Sequence, residues 1–246
     1  MQNAHLRHRR HLLPYLAKKF KAKTYLEIGV KGGKTFLPIK VRSKFAVDPF
    51  FRIKKEYKRS QFFKYPFNAF AKYFECTSDE FFTKYAASVL KKNSLDLCFI
   101  DGLHTYEQTF KDVVNTLPYL SKNGVMVIHD CSPMSSSAAF PAQSLDEVKQ
   151  INPPGFDGMW SGDVWKLIPR LKIEFPDHTV FVLNHDSGLG IVSKRDLFNN
   201  TYNPSKLDCT TAEIDRWDYT YLERNRSDLL NITDDEFILK NCTLFK

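Results

Sequence analysis

The chain has 246 residues, 43% of them hydrophobic, which is enough for one large α/β domain or two small ones. Charged residues make up 26%, so wholesale disorder is not expected, and no apolar run reaches the roughly 20 residues of a membrane span. The five cysteines contain no CxxC pair, and no secretory signal follows the basic N-terminus. We therefore expect no disulfide framework or zinc ribbon, and a cytoplasmic location.

The formal net charge of +8 is distributed unevenly along the chain. Residues 1–64 hold 18 Lys and Arg against three acids, whereas the remainder has 18 basic and 25 acidic residues. A basic first third indicates an anionic partner, such as nucleic acid, a membrane surface or an acidic substrate, or simply a solvated face. Its stretch "FFRIKKEYKRSQFFKYPF" suits base or sugar stacking, or an amphipathic helix that buries its Phe residues.

Short apolar runs alternate with segments of helical spacing, the pattern of a parallel α/β sheet. The predicted strands are Thr24–Val30, Lys44–Val47, Lys72–Cys76, Leu95–Ile100, Val125–His129, Thr179–Leu183 and Leu189–Val192. Between the fourth and fifth strands a helix is predicted, with apolar residues from Tyr106 to Leu120 at helical spacing and a capping box of Thr105 and Gln108. A short turn around Asp186–Gly188 predicts that the last two strands form an antiparallel hairpin.

Two segments depart from this alternation. Residues 131–159 are rich in Ser, Pro and Ala, and a long irregular segment of this kind is typical of a lid or binding loop. The tail from about Arg195 contains one predicted helix, in "TAEIDRWDYTYLERNRSDLL". We expect a single domain over residues 1–195 with a basic N-terminal segment, and a helical extension over residues 196–246 packed on the same domain.

The first predicted strand ends in the glycine-rich turn "YLEIGVKGGKTF". A phosphate-binding P-loop requires a glycine at position 28, which is Ile, and the nicotinamide fingerprint fails at Lys31. The pattern that fits is E-x-G-x-x-x-G, formed by Glu27, Gly29 and Gly33. The glycines allow a tight turn and close approach of a ligand, and the carboxylate favours a cationic or hydroxyl-bearing ligand over a phosphate.

The second strand ends in Asp48, in the run "FAVDPF". An acid at this strand end typically accepts hydrogen bonds from the hydroxyls of a ribose, although a surface acid would give the same pattern. The glycine-rich turn and Asp48 together, in this order on the first two strands, indicate a nucleoside-containing ligand.

These motifs resemble those of the class I S-adenosylmethionine-dependent methyltransferases, over roughly residues 20–195. The supporting runs are "YLEIGVKGGKTF", "FAVDPF", "CTSDEFF", "LDLCFIDGLHTYEQTFKDV", "GVMVIHDC", "GDVWKLI" and "SGLGIV". The resemblance is closest to O-methyltransferases that modify sugars, glycans and natural products. It implies a Rossmann-like, doubly wound, seven-stranded and mostly parallel sheet with order 3-2-1-4-5-7-6 and an antiparallel strand 7, followed here by a C-terminal helical tail.

The resemblance also implies a set of cofactor-binding residues. Glu27, Gly29 and Gly33 would line the methionine end of S-adenosylmethionine, and Asp48 would hold its ribose. Ser78 and Asp79 would lie near the adenine, although the N-cap of a helix is an equal alternative for them. Asp101, at the end of the fourth strand, would contact the cofactor.

His104 and Asp101 follow the fourth strand, whose carboxyl end faces the ligand crevice in open α/β sheets. Methyl transfer to an oxygen needs the hydroxyl deprotonated, and a histidine suits that general-base role. We therefore predict that His104 is the base and that Asp101 takes part in catalysis. The alternative for His104 is a capping residue without catalytic function.

Asp101 and Asp130 end adjacent predicted strands, and paired carboxylates there suit Mg²⁺. Metal-dependent relatives commonly have a third ligand just after the second carboxylate, where this chain has Cys131, a poor ligand for a hard cation. His129 is expected to point to the opposite face from Asp130. The Mg²⁺ site thus stays an open alternative.

The sequence favours a methyltransferase that methylates a hydroxyl of a sugar, glycan or nucleotide-linked small molecule, an acceptor that the basic N-terminal third predicts to be anionic. One alternative is a non-enzymatic binder of nucleic acid or an anionic surface on the same fold, although nucleic acid is disfavoured. Another is a catechol-type or N-methyltransferase. The aromatic N-terminal region and the tail would also suit a homo-oligomer surface.

Overall fold

A computed structural model describes residues 6–195 and 207–242. The strands are β1 Thr24–Ile28, β2 Ser43–Asp48, β3 Lys72–Glu75, β4 Leu95–Ile100, β5 Leu120–Ile128, β6 Thr179–Leu183, β7 Leu189–Ser193 and β8 Ile232–Thr233. The α-helices are α1 Arg9–Lys19, α2 Lys55–Lys64, α3 Ser78–Lys84, α4 Ala86–Val89, α5 Tyr106–Thr116, α6 Leu145–Ile151, α7 Leu167–Glu174, α8 Thr211–Arg216, α9 Tyr219–Leu230 and α10 Asp235–Asn241. Two 3₁₀-helices span Pro66–Phe70 and Val164–Lys166. In these two described stretches, no helix combines the length and apolar character needed to cross a membrane.

The described residues form two compact units. The first contains residues 6–102 and 112–127, and the second contains residues 103–111, 128–195 and 207–242. The predicted boundary at residue 195 lies in a different place from this division and stays a prediction. Residues 196–206, where the predicted extension begins, lie outside the described residues.

In the first unit the strand order is β3-β2-β1-β4-β5. The pairs β1–β2, β1–β4 and β2–β3 are all parallel. Almost every residue of β1, β2 and β4 is buried, as expected for strands covered on both faces. The continuous apolar runs that predicted these strands therefore reflect their central position in the sheet.

In the second unit the order is β7-β6-β8. Strands β6 and β7 pair antiparallel from Thr179 opposite Ser193 to Leu183 opposite Leu189, which confirms the predicted hairpin. Strand β8 adds to β6 in parallel and has no counterpart in the predicted strands. The two orders agree with the predicted series 3-2-1-4-5 and 7-6, and the Rossmann-like, mostly parallel α/β class is confirmed.

The C-terminal part of the second unit is tied to α7. The Lys172 ammonium donates to the backbone carbonyls of Asp228 and Leu229 at 2.8 and 3.3 Å, and to Asn231 Oδ1 at 3.0 Å. These carbonyls belong to the last turn of α9, so the lysine caps the C-terminal end of this helix. On α9 itself, the Leu222 side chain is fully buried.

Several predicted boundaries are wrong. Leu120 begins β5 and does not end a helix, because α5 stops at Thr116 and is followed by a tight turn. The single predicted C-terminal helix is two, α8 and α9, since the side chain of Asp218 caps a new helix by accepting from Tyr221 N–H. The irregular segment 131–159 contains α6.

The start of α5 has a partner from outside the helix, and the predicted capping box of Thr105 and Gln108 stays a prediction. The amide of Tyr106 donates to the carboxylate of Asp163 at 2.8 Å, so an acid from a distant loop begins this helix. The Asp163 side chain makes no capping bond to the 3₁₀-helix that follows it.

Replacement of Leu222 by Ala should lower the free energy of unfolding by about 2–5 kcal/mol, because it leaves a cavity in a fully buried site. The matched control is the neighbouring Tyr221→Ala, where the side chain is 40% exposed and stacks on Trp217, and about 1 kcal/mol is expected. Urea unfolding measures both. Equal losses in the two variants would show that α9 is not packed as described.

Candidate active site

The turn after β1 is set by a close contact within the first unit. Gly29 has φ +84°, and a Cβ there would lie 1.8 Å from the carbonyl oxygen of Asp101. Its amide donates to the Val47 carbonyl at 2.9 Å, so the end of β1 is fixed between β2 and β4. Gly33 also has positive φ, +68°, and a Cβ there would lie 3.1 Å from the Ile53 side chain. Both glycines of the predicted motif thus stand where a side chain would be strained or would clash.

Glu27 is completely buried at the end of β1. The Tyr25 hydroxyl donates to its Oε2, while Oε1 has no hydrogen-bond partner among residues 6–195 and 207–242. Burial raises the pKa of Glu27 to about 8, against the lowering effect of the bond from Tyr25. A buried carboxylate oxygen without a partner is costly, and a donor from a ligand would remove that cost.

Lys44, on the neighbouring β2, is the second buried ionisable group of this region. Its ammonium donates to Asn68 Oδ1 at 2.6 Å and to the Leu37 carbonyl at 3.2 Å. Burial lowers its pKa to about 7, opposed by the nearby charge of Glu27. Sequence reasoning missed both Tyr25 and Lys44, although Tyr25 stands two residues before Glu27 and so shares its face of the strand.

Asp48 lies at the end of β2 and is 8% exposed. Its Oδ2 accepts from the Lys31 amide and its Oδ1 from the Phe50 amide, each at 2.7 Å. The carboxylate therefore ties the glycine-rich turn to the segment after β2. Each oxygen keeps a second lone pair, so a ribose hydroxyl remains an acceptable donor.

Ser78 and Asp79 open α3, but neither is its N-cap. The Thr77 hydroxyl accepts from the Glu80 amide at 3.2 Å and performs that function. Ser78 is buried and Asp79 is exposed. The capping alternative is therefore wrong for these two residues, and their contact with an adenine stays a prediction.

Asp101 follows β4 and is anchored through its amide, which donates to the Ile28 carbonyl at 2.8 Å. The Arg9 guanidinium on α1 lies 3.8 Å from its carboxylate. This partner was missed because nothing in the run of basic residues at the N-terminus distinguishes Arg9 from its neighbours.

His104 belongs to the second unit and has φ +63°, which is unusual for a residue other than glycine. Its Nδ1 lies 2.9 Å from Asp130 Oδ2 and 3.1 Å from the Trp160 carbonyl oxygen. The ring stacks on the Trp160 indole at 5.5 Å between centroids. Because both neighbours of Nδ1 are hydrogen-bond acceptors, they favour the tautomer with the proton on Nδ1 and the lone pair on Nε2.

Gly162 lies against the backbone of this histidine. With φ +62°, a Cβ at Gly162 would be 1.9 Å from the His104 carbonyl oxygen. Trp160 and Trp165 differ in role. Trp165 is 2% exposed and lies in the core, whereas Trp160 stacks on His104 and donates its Nε1–H to the Phe140 carbonyl at 2.8 Å.

Asp130 is a buried acid between two imidazoles. His129 Nδ1 also lies 2.9 Å from its Oδ2, and the Ser161 hydroxyl donates to its Oδ1 at 2.8 Å. Burial by itself would raise the pKa of Asp130, but the contacts with His104 and His129 outweigh it and hold that pKa below the usual range. The expectation that His129 points away from Asp130 is wrong, because Asp130 has φ +65° and leaves the strand alternation.

The donor chemistry at Asp130 fits Mg²⁺ poorly. Both of its oxygens are occupied by neighbouring side chains, and the residue is 3% exposed. Cys131 is fully buried, and its thiol donates to the Ile128 and His129 carbonyls at 3.5 and 3.7 Å. Asp101 and Asp130 belong to different units, and their pairing stays a prediction.

Comparison with known proteins gives a family match and a shared fold. Residues 26–131 match the model of a methyltransferase domain. No curated protein matches the chain significantly. Among solved structures, a methyltransferase of Podospora anserina bound to S-adenosylhomocysteine is 18% identical, covers 76% of this chain and 77% of its own, and has a TM-score of 0.50.

A second solved structure is an O-methyltransferase of Streptomyces achromogenes involved in tomaymycin synthesis, in complex with S-adenosylmethionine. It is 13% identical, with 75% of this chain and 78% of its own covered and a TM-score of 0.47. At these identities, similarity to solved structures shows the fold alone.

The neutral imidazole of His104 should carry its proton on Nδ1. Nitrogen-15 NMR of histidine-labelled protein, with the signal assigned by its loss in His104→Ala, reports the tautomer directly. In Asp130→Asn the preference should weaken, since one acceptor beside Nδ1 becomes an amide that is able to donate. A wild-type spectrum with the proton on Nε2 would contradict the described geometry.

Proposed function

We propose that this chain is a class I S-adenosylmethionine-dependent methyltransferase that methylates a hydroxyl group, a function that its matched domain and its fold support. The unpartnered Oε1 of Glu27 carries this proposal for the cofactor, because a buried carboxylate beside a glycine-rich turn suits a cationic ligand. The solved structure from Podospora anserina contains S-adenosylhomocysteine, the product of that cofactor, which supports the same ligand here.

The first unit would hold the cofactor. Glu27 would accept from the ammonium group of its methionine part, with Gly29 and Gly33 allowing close approach of the ligand to the turn. Asp48 would accept from ribose hydroxyls through its remaining lone pairs. Ser78 and Asp79 would lie near the adenine, and Asp101 would also contact the cofactor.

The base would be His104, which follows Asp101 after only two intervening residues. Its Nε2 lone pair would accept the proton of the acceptor hydroxyl, while Asp130 stabilises the resulting imidazolium through Nδ1. Trp160 would hold the ring by stacking. A buried ionised carboxylate that fixes both tautomer and orientation is the arrangement that such a base needs.

The bound cofactor would supply an activated methyl group on a sulfonium. The residues of this chain would position donor and acceptor and take up one proton. The acceptor oxygen would take that methyl group, and the electron pair of the carbon–sulfur bond would remain on sulfur. The hydroxyl proton would move to Nε2 of His104, so the proposed step balances.

For the acceptor we propose a small molecule with a sugar or glycan hydroxyl, and an anionic character that suits the basic N-terminal third. Residues 1–195 would form the catalytic domain and residues 196–246 its helical extension. A cytoplasmic location and a homo-oligomer remain predictions.

Two rival functions are catechol-type methyl transfer and N-methyl transfer. A screen of acceptor compounds distinguishes them from the proposed function. A chelator of divalent cations provides a second distinction, because the proposed methyl transfer should keep its full activity when the chelator is added.

The affinity for S-adenosylhomocysteine should rise as the pH increases from about 6 to about 8, by at most about tenfold per pH unit. Below its pKa of about 8, Glu27 holds a proton that the ligand's ammonium group would displace, and raising the pH removes this cost. Calorimetry with the wild type and Glu27→Gln measures the effect. The variant should bind more weakly and without this pH dependence; an identical dependence in both would remove Glu27 from the ligand site.

His104→Ala should lower turnover by about 10²–10⁴-fold, the usual contribution of a general base, while the affinity for S-adenosylhomocysteine is unchanged. Formation of S-adenosylhomocysteine, with an acceptor found by screening hydroxyl compounds, measures turnover. The matched control is His178→Ala, a half-buried histidine of the second unit outside the proposed site. Near-normal turnover in His104→Ala would exclude this residue as the base.

A further inference from the structure

The segment of residues 50–72, which we call the basic aromatic segment, presents large apolar side chains to solvent. Phe63, Phe70 and Phe50 are 72%, 67% and 63% exposed, and Phe62 and Phe67 are each 46% exposed. Single exposed apolar side chains are common on protein surfaces, but a contiguous group of them marks an interaction site.

Helix α2, at the centre of this segment, is not explained by packing within the described chain. None of its ten residues is buried. An isolated helix of this length is marginal in water, and most helices in proteins are stabilised by burying one face. The sequence hypothesis that this stretch forms an amphipathic helix with buried Phe residues is therefore wrong.

The 3₁₀-helix that follows has a defined inner and outer side. Asn68 is buried and donates to the Leu37 and Gln61 carbonyls at 3.1 Å each. In a 3₁₀-helix residues three apart lie on the same side, so Phe67 and Phe70 share one side that does not include Asn68. Asn68 therefore fixes the helix to the first unit and leaves both phenylalanines facing outward.

Positive charge surrounds these phenylalanines. Residues 50–72 contain seven Lys and Arg residues and one acid, Glu56. The lysines and arginines of α2 are all exposed. The segment is therefore complementary to a surface that is both negatively charged and able to accept apolar side chains.

A cavity of about 610 Å³ continues this surface. Its lining includes Arg42, Phe45, Phe70, Lys72 and Val89, and the lining residues that the structure describes include no acid. Arg42 and Lys72 are exposed. The cavity thus combines two exposed basic residues, and the buried Lys44, with apolar walls, which suits a phosphorylated headgroup joined to a hydrocarbon part.

We propose that the basic aromatic segment docks the protein on an anionic phospholipid membrane. Phe62, Phe63, Phe67 and Phe70 enter the interface, and the Lys and Arg residues of α2 contact the headgroups. Single-stranded nucleic acid fits less well, because successive bases stack on parallel aromatic faces. The rings of Phe62 and Phe63 are inclined at 84° to each other and form no such platform.

The test is sedimentation with vesicles of phosphatidylcholine alone and of phosphatidylcholine mixed with phosphatidylserine. The wild type should bind the mixed vesicles, and binding should fall by about tenfold or more in Phe63→Ser/Phe70→Ser and in Lys55→Gln/Arg59→Gln. Matched controls remove similar groups elsewhere: Ile151→Ser, 51% exposed, and the exposed pair Lys91→Gln/Lys92→Gln. Both controls should bind as the wild type does.

A second measurement does not depend on removing apolar side chains. In Phe63→Trp, the indole emission should shift to shorter wavelength on mixed vesicles, with the wild type as background. Equal binding to both kinds of vesicle, unchanged binding in the segment variants, or no emission shift would overturn the proposal. So would tighter binding of a single-stranded RNA oligonucleotide at the same salt, lost in the same variants, since nucleic acid would then be the partner.

Discussion

The contact between Gly29 and the backbone of Asp101 is the constraint on which the rest of the first unit depends. There is no room for a side chain between Gly29 and Asp101. Strands β1 and β4 end at the same level, with Ile28 opposite Ile100. That places the Glu27 carboxylate just before the turn and Asp101 just after its neighbouring strand. The rest of the turn is held from the side by the hydrogen bond that the Lys31 amide donates to Asp48.

A second constraint orders the residues of the other unit. Asp130 is buried between His104 and His129 and bonded by Ser161, so its charge is stabilised by neighbours rather than by water. Such a network is costly unless every member is satisfied. The same contacts hold the His104 ring in one orientation, which is why a positively charged intermediate state of that ring would be favourable there.

The buried groups Glu27 and Lys44 affect the stability of the first unit in opposite directions as the pH rises. Between the ordinary carboxyl range and about pH 8, the folded chain retains the Glu27 proton that the unfolded chain releases, so stability falls as the pH rises. For Lys44 the unfolded chain binds the proton more strongly above about pH 7, so stability rises with pH there. A ligand that neutralises Glu27 would change this balance.

Much of the sheet could be predicted because its central strands are buried on both faces and read as unbroken apolar runs, as in Leu95–Ile100. The hairpin of β6 and β7 was predicted from its short turn. The start of β5 was not, because Leu120 continues the helical spacing of the residues before it. The break between α8 and α9 at Asp218 was not predicted. An aspartate caps a helix only where the chain turns into a new helix, and the sequence alone does not show where the chain turns.

The candidate site was predicted in part for the same reason. Strand ends and glycines mark Glu27, Gly29, Asp48, Asp101 and His104, since their positions follow from chain order. Tyr25, Lys44, Arg9 and Ser161 act on those residues through space, and no spacing rule brings them together. The exposure of the phenylalanines around α2 was likewise hidden, because composition does not distinguish a buried aromatic from an exposed one.

The proposed cofactor site consists of the turn after β1 and the acid at the end of β2, which would hold S-adenosylmethionine. Calorimetric titration of the wild type and Asp48→Ala with S-adenosylhomocysteine measures this binding. The wild type should bind one ligand per chain and the variant markedly more weakly, with the fold of the variant checked by its thermal unfolding. Absence of binding by the wild type, or equal affinity in a folded Asp48→Ala, would contradict the proposed site.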